Sequence, residues 1–340
     1  MKALVLGGTG FVGMNVVRAL VRAGHDVHAT RRIRDNTLFA RKLGAKLVVA
    51  ELDDPDGLVE VMRGREVVFM CAAHYPRYSI DFDADVELAR TGVRSAVDAA
   101  LRAGVQRLVL TSSIATVGPP RQGRALSNET DPITPAASRC IYHAVKLAAE
   151  QEVLKAAGQG MDCVVLCPTG IIGELDIKAG TGFIVVALSH GKLPFHIDGR
   201  QNIIDADEMA AAHVAAAERG RAGERYIAAG HNVTIREFME LIAEELAVPL
   251  HSWRIPTWLA GPLTTLDEMR CAVVQNGSRP FLAREFVDMV HHGQWVDRSK
   301  SVSELGLKDP APLTATIRKA CLWYERHGYL KRREPAQAHA

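Results

Sequence analysis

The chain has 340 residues, a formal net charge of +2 and 48% hydrophobic residues, a composition typical of a folded globular protein. It contains no long block of lysine and arginine that would indicate nucleic-acid binding. No apolar run reaches the roughly 18 residues of a membrane span, and the first apolar run is too short for a signal peptide. We therefore expect a cytoplasmic protein with reduced cysteines.

Short apolar runs alternate with helical patterns along the first half of the chain. Strands are predicted at 3–7, 26–30, 46–52, 66–73, 107–113 and 162–168, and helices at 11–24, 84–103 and 136–157. Several of these strands are continuous apolar runs, as expected where both faces of a sheet are buried. The pattern predicts an α/β fold of the Rossmann type, a doubly wound parallel sheet with helices on both faces.

The rhythm changes after residue 168. Helical patterns recur at 205–220, 235–246, 256–276 and 313–327, and glycines are frequent before them. We predict a smaller, mostly helical lobe at 169–330 that is partly interleaved with the first domain at 1–168. The polar residues 331–340 are expected to form a flexible tail.

A glycine-rich segment, GGTGFVG, directly follows the first strand and opens the first helix. Its glycines Gly7, Gly10 and Gly13 have the spacing G-x-x-G-x-x-G. In this context glycines let the backbone approach a pyrophosphate, and the helix N-terminus supplies N–H donors. Residues 1–168 are therefore predicted to bind a dinucleotide, with the lobe binding the substrate. The predicted contacts in this segment are Gly7, Thr9, Gly10, Phe11, Val12 and Gly13.

The end of the second strand indicates which dinucleotide is bound. The chain reads ATRRIRD there, so that Arg31 and Arg32 stand where a carboxylate would favour NAD. Guanidinium groups suit a 2′-phosphate, so NADP(H) is the preferred cofactor and NAD(H) an acceptable one. The alternative interpretation is a solvated basic turn. After the third strand, Glu51 and Leu52 are expected near the adenine ring, with Leu52 packed on it.

A tyrosine and a lysine four residues apart, Tyr142 and Lys146, lie on a predicted helix and share one face of it. The lysine charge favours the ionised phenol, which can then exchange a proton near neutral pH. Ser113 lies 29 residues before Tyr142, at the end of the fifth strand. That edge of a doubly wound sheet lines the ligand crevice, so Ser113 can bind the substrate oxygen. We predict Ser113, Tyr142 and Lys146 as the catalytic residues.

The segments GGTGFVG, TSSIATVG and YHAVK, with the following Glu150, resemble the extended short-chain dehydrogenase/reductase superfamily, NAD-dependent epimerase/dehydratase type. The spacing of the serine from the glycine that closes TSSIATVG favours Ser113 over Ser112. Later segments resemble a bacterial subgroup of dihydroflavonol-reductase-like and hopanoid-associated sugar epimerase proteins. The resemblance implies a homodimer built on the helices at 84–103 and 136–157.

Further cofactor contacts are expected at the ends of the fourth, fifth and sixth strands. These residues are Cys71, Ala72, Ala73, Thr111, Pro168, Gly170 and Ile171, in addition to Tyr142 and Lys146. The predicted substrate residues lie in the neighbouring loops: His74, Tyr75, Ser113, Ile114 and Ile172. His74 could act as a second acid or base, although a partly exposed loop histidine is the simpler interpretation. No metal site is predicted.

The predicted activity is reduction of a ketone or aldehyde in a small, largely apolar substrate by hydride transfer from NADPH, with Tyr142 as the proton donor. One alternative is epimerisation or dehydration of a nucleotide-sugar by a transiently used, tightly bound cofactor. Val145, Cys167 and the segment GRQNIIDADE depart from the patterns frequent in that class, but Lys178, Lys192 and Arg200 could bind its phosphates. A second alternative is a redox-sensing module without catalysis, which typically lacks the tyrosine or the lysine.

Overall fold

The computed structural model describes residues 1–74, 79–256 and 284–330, together with the single positions 259 and 264. The strands are β1 Lys2–Leu6, β2 Asp26–Arg31, β3 Lys46–Val49, β4 Val67–Met70, β5 Arg107–Thr111, β6 Cys163–Pro168, β7 Gly170–Ile172, β8 Phe195–Ile197, β9 Arg200–Asp205, β10 Arg225–Ala228, β11 His231–Thr234 and β12 Trp253–Ile255. The helices are α1 Phe11–Arg22, α2 Pro55–Met62, α3 Phe82–Ala103, α4 Ile141–Gly158, α5 Phe183–Ser189, α6 Ala206–Arg219, α7 Ile235–Leu246, α8 Arg284–His291, α9 Ser299–Leu305 and α10 Leu313–Arg326.

The main sheet has seven parallel strands in the order β10-β6-β5-β4-β1-β2-β3. Helices α2, α3 and α4 cover one face, and helices α1, α6 and α9 contribute to the hydrophobic core on the other. The chain order reverses between β1 and β4, which is where a doubly wound sheet opens its ligand crevice. The predicted Rossmann fold class is thus confirmed.

The chain after residue 168 contributes one strand to the main sheet and also forms two small sheets. Strand β10 pairs with β6 and extends the main sheet, an edge strand that the sequence patterns did not predict. Strands β11, β9 and β7 form a three-stranded sheet, and β12 pairs with β8. Helices α5, α7 and α10 share a third hydrophobic cluster with these strands. These strands of three to six residues are too short to show a clear period of two.

Two predicted elements differ from the structure in ways that affect the site. The helix expected from residue 136 begins only at Ile141, because a 3₁₀ turn at Ala137–Arg139 precedes it and Cys140 adopts an extended conformation. The strand expected up to residue 73 ends at Met70, after which the chain turns toward the glycine-rich segment. The pattern expected at 256–276, Tyr75 and the tail 331–340 lie largely or wholly outside the described residues. In the described part of the chain, no helix combines the length and apolarity of a bilayer span.

Candidate active site

The glycine-rich segment forms a tight turn between β1 and α1. Gly7 has a φ of +79°, and a Cβ on it would lie 2.8 Å from the backbone nitrogen of Ala72. A Cβ on Gly13 would lie 2.2 Å from the carbonyl oxygen of Gly7, so the helix could not approach the turn so closely with any other residue. Gly10 precedes α1 and offers no side-chain cap, which leaves the first N–H groups of the helix available to a ligand. This cradle fits a bound pyrophosphate.

The loop after β2 folds back onto this turn. The Thr9 hydroxyl donates to Oδ2 of Asp35 at 2.6 Å, and Arg32 donates to the same carboxylate through its backbone N–H at 3.0 Å and its Nε at 3.2 Å. Burial acts to raise the pKa of Asp35, but the hydrogen bonds from Thr9 and Arg32 outweigh it and hold that pKa below its usual value. The predicted basic pair therefore has an acidic neighbour that the strand-end pattern missed.

Arg31 and Glu51 contact the same loop, and Leu52 directly follows Glu51 in the chain. The Arg31 guanidinium donates to the carbonyl oxygens of Arg32 and Ile33 at 3.3 and 3.4 Å. Glu51 accepts a hydrogen bond from the N–H of Ile33 at 3.4 Å. Leu52 is partly buried and packs against the hydrophobic core on the α3 side of the sheet. Arg31 and Glu51 thus contact this loop, as Arg32 does, whereas Leu52 packs on the core.

The segment after β4 passes close to the glycine-rich turn. The Cys71 N–H donates to the carbonyl oxygen of Leu6 at 3.0 Å. The backbone of Ala72 lies directly beside Gly7 and leaves no room for a Cβ there. Burial raises the pKa of Cys71 to about 11, so this thiol is neutral at physiological pH. Cys71 and Thr111 are also in contact, with their Sγ and Oγ1 atoms 3.4 Å apart. The ends of β1, β4 and β5 are therefore held together at one edge of the sheet.

The three predicted catalytic residues meet at this edge. Tyr142 lies in the first turn of α4, and its hydroxyl donates to the Ser113 Oγ at 3.1 Å. Lys146, one turn later, donates from Nζ to the carbonyl oxygen of Thr111 at 3.2 Å. Ser113 is 6% exposed and caps the short 3₁₀ turn Ile114–Thr116 by accepting the Ala115 N–H at 3.2 Å. The serine is thus held in one orientation toward the phenol.

Burial lowers the pKa of Lys146 to about 8, although Cys71, Cys167 and Glu150 act in the opposite direction. The ammonium therefore carries its charge at pH 7 and loses it in mildly alkaline solution. A group with this pKa can exchange protons near physiological pH.

A histidine that the sequence patterns missed supports Thr111. His213 on α6 is fully buried, with Nδ1 2.9 Å from the Met209 carbonyl oxygen and Nε2 2.8 Å from the Thr111 Oγ1. A carbonyl can only accept, so Nδ1 carries the proton and Nε2 accepts from the threonine. Burial lowers the pKa of His213 to about 4 and keeps the ring neutral. His213 lies 102 residues after Thr111 in an alanine-rich helix, so no local pattern connects them.

A buried ion pair lies behind the serine segment. Glu150 on α4 is 2.7 Å from Nε of Arg225 on β10 and accepts hydrogen bonds from Ser112 at 2.5 Å and Thr116 at 2.7 Å. Arg225 also donates to Thr116, at 3.1 Å to its carbonyl oxygen and 3.0 Å to its hydroxyl. The Ser112 hydroxyl therefore donates to the Glu150 carboxylate, whereas the Ser113 hydroxyl accepts from Tyr142. Ser113, and not Ser112, thus has its Oγ beside the Tyr142 hydroxyl, and its catalytic role stays a prediction.

The predicted substrate residues are not all brought together. His74 follows β4, and its Nε2 lies 2.6 Å from Oδ1 of Asp85, which also accepts from the Ser79 hydroxyl at 2.6 Å. Ile114 directly follows Ser113 and is partly buried. Ile172, by contrast, is fully buried in the lobe core.

The chain after β6 supplies the other predicted cofactor contacts. Pro168 closes β6 and is buried, whereas Gly170 and Ile171 are partly exposed at the start of β7. These two residues pair with Ile203 and Ile204 on β9, which anchors the segment to the lobe.

The NAD dependent epimerase/dehydratase family matches residues 3–229 of the chain. A "Putative dihydroflavonol 4-reductase" of Synechocystis sp. is 33% identical over 96% of this chain and 95% of its own length. A 4-hydroxy-2-methyl-3-oxo-4-farnesyl-3,4-dihydroquinoline-1-oxide ketoreductase of Stigmatella aurantiaca is 30% identical over 90% of this chain and 91% of its own length. The crystal structure of PA4631, a nucleoside-diphosphate-sugar epimerase from Pseudomonas aeruginosa, is 28% identical with a TM-score of 0.81 over 97% of this chain and 99% of that one.

The family match spans the glycine-rich turn, the serine segment and the tyrosine–lysine pair, and it ends just after β10. It confirms the resemblance that those segments indicated in the sequence. With its seven-stranded sheet and this match, the chain belongs to the NAD dependent epimerase/dehydratase family.

Proposed function

We propose that this protein is an NADP(H)-dependent oxidoreductase that reduces a ketone or aldehyde in a small, largely apolar substrate. The observation that carries this proposal is the hydrogen bond of 3.1 Å from the Tyr142 hydroxyl to the Ser113 Oγ, at the carboxyl edge of the sheet. Lys146 lies one helical turn from the phenol and has a pKa lowered to about 8 by burial. Relatives described as a dihydroflavonol reductase and a ketoreductase support a reduction.

Each of the three residues has a distinct role in this proposal. When bound, the dinucleotide supplies the hydride that reaches the carbonyl carbon. Ser113 and Tyr142 donate hydrogen bonds to the substrate oxygen, and Tyr142 transfers its proton to that oxygen as negative charge develops on it. The positive charge of Lys146 stabilises the phenolate that remains. In the oxidation direction the same groups act in reverse.

The preference for NADP(H) rests on the basic residues at the end of β2. The Arg32 side chain is 66% exposed, so its guanidinium is accessible to an anion from solvent. Arg31 ends β2, and the strand itself, DVHATR, has no carboxylate at its carboxyl end. The expected partner of these guanidinium groups is a 2′-phosphate. NAD(H) stays a second cofactor in this proposal.

The substrate is proposed to enter beside Ile114, which directly follows Ser113, and beside His74, which follows the neighbouring strand β4. Ile114 supplies apolar contact, and Asp85 fixes the imidazole of His74 through the short contact to its Nε2. The proposal of a compact apolar ketone or aldehyde therefore rests on Ile114, whereas the His74–Asp85 pair would lie beside a polar part of the substrate.

A second candidate is epimerisation or dehydration of a nucleotide-sugar, and the similarity to PA4631 favours it. That reaction needs cations in the lobe to bind the diphosphate. Arg200 is one candidate, but its guanidinium lies over the Trp295 ring, 4.8 Å from the centroid. Lys178 and Lys192 remain as the other cations proposed for this role.

The first test is the consumption of NADPH by the purified protein with a panel of ketones, aldehydes and nucleotide-sugars. We expect steady oxidation of NADPH with at least one apolar carbonyl compound. Tyr142→Phe should reduce this rate by a factor of about 100 or more, because it removes the proton donor. The variant should still bind NADPH, which nicotinamide fluorescence measures separately.

Two outcomes would contradict the reductase proposal. Conversion of a nucleotide-sugar without net oxidation of NADPH would assign the protein to the epimerase or dehydratase class. Binding of a dinucleotide without turnover of any compound, and with no effect of Tyr142→Phe on any measured property, would favour a binding module.

Cofactor choice has its own test. Replacing both Arg31 and Arg32 with alanine should weaken NADPH binding much more than NADH binding, because only NADPH carries the 2′-phosphate. An equal loss for the two cofactors would reject the assignment of the basic pair.

A homodimer and a cytoplasmic location are also proposed. Helix α3 exposes Leu88 and Leu101 at two positions around its axis, and it packs along α4 with Arg94 donating to Glu152. A second copy of the chain would cover these leucines. Light scattering of the purified protein would distinguish a dimer from a monomer.

A further inference from the structure

The Asp35 carboxylate accepts hydrogen bonds from three groups at the mouth of the glycine-rich turn. These donors are the Thr9 hydroxyl at 2.6 Å, the Arg32 backbone N–H at 3.0 Å and the Arg32 Nε at 3.2 Å. The terminal Nη2 of Arg32 also lies 3.1 Å from Oδ1. A hydroxyl, an amide and a guanidinium that converge on one anion form the kind of donor set that binds a phosphate group.

The carboxylate lies on the inner side of this set. The Asp35 side chain is 15% exposed, whereas the Arg32 side chain is 66% exposed. A phosphate that approached Arg32 from solvent would therefore meet the guanidinium first and the negative charge of Asp35 behind it. The phosphate and the Asp35 carboxylate are both negative and would repel each other. Both anions would also need the same donors, those of Thr9 and Arg32.

The loop that carries Asp35 is fixed at its far end and loosely packed near Asp35. Phe39 contacts the rings of Trp323 and His327 on and just after α10, with centroid distances of 6.0 and 5.2 Å. Ile33 and Leu38, which lie on either side of Asp35, are 73% and 58% exposed. The short segment between Arg32 and Leu38 can therefore rearrange without disturbing the core.

We propose that Asp35 is a specificity-determining residue, a built-in anion that competes with the 2′-phosphate of NADPH for Thr9 and Arg32. NADPH must displace this carboxylate to reach the full donor set, whereas NADH, which has no 2′-phosphate, binds with Asp35 in place. Asp35 thereby sets how strongly NADPH is favoured over NADH. This inference rests on the proposed dinucleotide site. It adds Asp35 to that site as a residue that weakens the preference for NADPH over NADH.

The experiment is a fluorescence titration of NADPH and of NADH against the wild-type protein and the Asp35→Asn variant. Asparagine keeps the size and one acceptor oxygen but removes the charge. We expect NADPH to bind roughly threefold to fivefold more tightly to Asp35→Asn, the upper part of the range for one partly exposed charge pair. The affinity for NADH should change less than twofold.

The matched control is Asp26→Asn, which removes a carboxylate from the opposite end of β2. Asp26 pairs with Arg65 at 3.0 Å and lies far from the glycine-rich turn along the strand. This variant changes the net charge equally and should leave both affinities unchanged. Asp35→Ser serves as a second variant if the asparagine variant does not fold, which circular dichroism reports.

The outcomes separate this inference from the proposed function. If NADPH binds more weakly to Asp35→Asn, then Asp35 positions Arg32 for the phosphate and the competition is rejected. An equal shift for NADPH and NADH, or no shift in either, also rejects it while leaving the dinucleotide site intact. If the wild-type protein binds neither cofactor, the proposed function fails together with the inference.

Discussion

Lys146 illustrates how burial adjusts a single group for the proposed reaction. Its Nζ donates to the Thr111 carbonyl oxygen, a contact that holds the side chain beside the end of β5. Desolvation disfavours the charged form, so its pKa falls to about 8, whereas an exposed lysine would stay charged to higher pH. The charge that stabilises the Tyr142 phenolate is therefore present at neutral pH and lost just above it.

We predict that kcat/KM for carbonyl reduction is constant below about pH 7 and falls as the pH rises through about 8. The sign follows from the lowered pKa, since a base is charged below its pKa and neutral above it. Lys146→Arg keeps the charge at all these pH values, so its decline should move upward by at least one pH unit. The measurement is the initial rate against pH with saturating NADPH and a carbonyl concentration well below its KM, where the rate is proportional to kcat/KM.

Arginine is longer than lysine, so Lys146→Arg is expected to have a lower maximal rate. A lower rate by itself does not contradict the assignment of the alkaline decline to Lys146. If this variant is active and its decline coincides with that of the wild-type protein, the alkaline decline belongs to another group. Lys146→Met, which has no charge, should be slow over the whole pH range.

At the scale of elements, the ion pair between Glu150 and Arg225 joins helix α4 to strand β10. Glu150 lies one turn after Lys146, and it also accepts hydrogen bonds from the two hydroxyls on either side of Ser113, those of Ser112 and Thr116. The pair thus fixes the serine segment against the helix that carries Tyr142. Its side chains are 3% and 18% exposed, so it is largely shielded from solvent.

We predict that Arg225→Met lowers the free energy of unfolding by about 3 kcal/mol, because it leaves the Glu150 carboxylate buried without its charge partner. The double variant Glu150→Gln/Arg225→Met should lose less than the sum of the two single variants. Urea unfolding followed by circular dichroism measures these differences.

Arg221 provides the control for this prediction. It pairs with Glu304 at 2.8 Å, but its side chain is 61% exposed. Because water screens this pair, the urea concentration at which Arg221→Met is half unfolded should be close to that of the wild-type protein. Equal losses for Arg225→Met and Arg221→Met would show that the buried pair has no special role.

At the scale of the whole molecule, the sheet cannot be completed by the first half of the chain. Helix α6 contributes six buried alanines to the core, and β10 supplies an edge strand. Arg18 on α1, which is 10% exposed, also donates to Glu174 at 2.6 Å and to Asp207 at 2.7 Å. Contacts from beyond residue 168 therefore close one face and one edge of the sheet.

We predict that a chain ending at residue 168 does not unfold cooperatively in urea, because the sheet face that α6 covers would be exposed to water. A chain ending at residue 330 should unfold like the full chain, since it keeps every element described above. Circular dichroism with limited proteolysis would compare the three. A cooperative transition in the shorter chain would show that residues 1–168 fold on their own.

The sequence by itself determined the Rossmann fold class, the family and a testable set of site residues. Alternating apolar strands and helices are local signals, as are the glycine-rich turn and the four-residue spacing of Tyr142 and Lys146. Each depends on neighbours within about ten residues, so each can be read from the chain directly. The position of Arg31 and Arg32 at the end of β2 is also a local signal, because it follows from the strand pattern and the residues directly after it.

Only the tertiary structure decided what surrounds these residues. Asp35 reaches Thr9 across 26 positions, His213 reaches Thr111 across 102, and Arg225 reaches Thr116 across 109. Such contacts form where the sheet order and the lobe bring distant segments together, and no short-range periodicity encodes them. The helix start at Ile141 was missed because a 3₁₀ turn and an α-helix share similar residue preferences, while the extended backbone of Cys140 separates them. Burial by these distant segments also sets the charge of Lys146, which follows from desolvation and not from the identity of the residue.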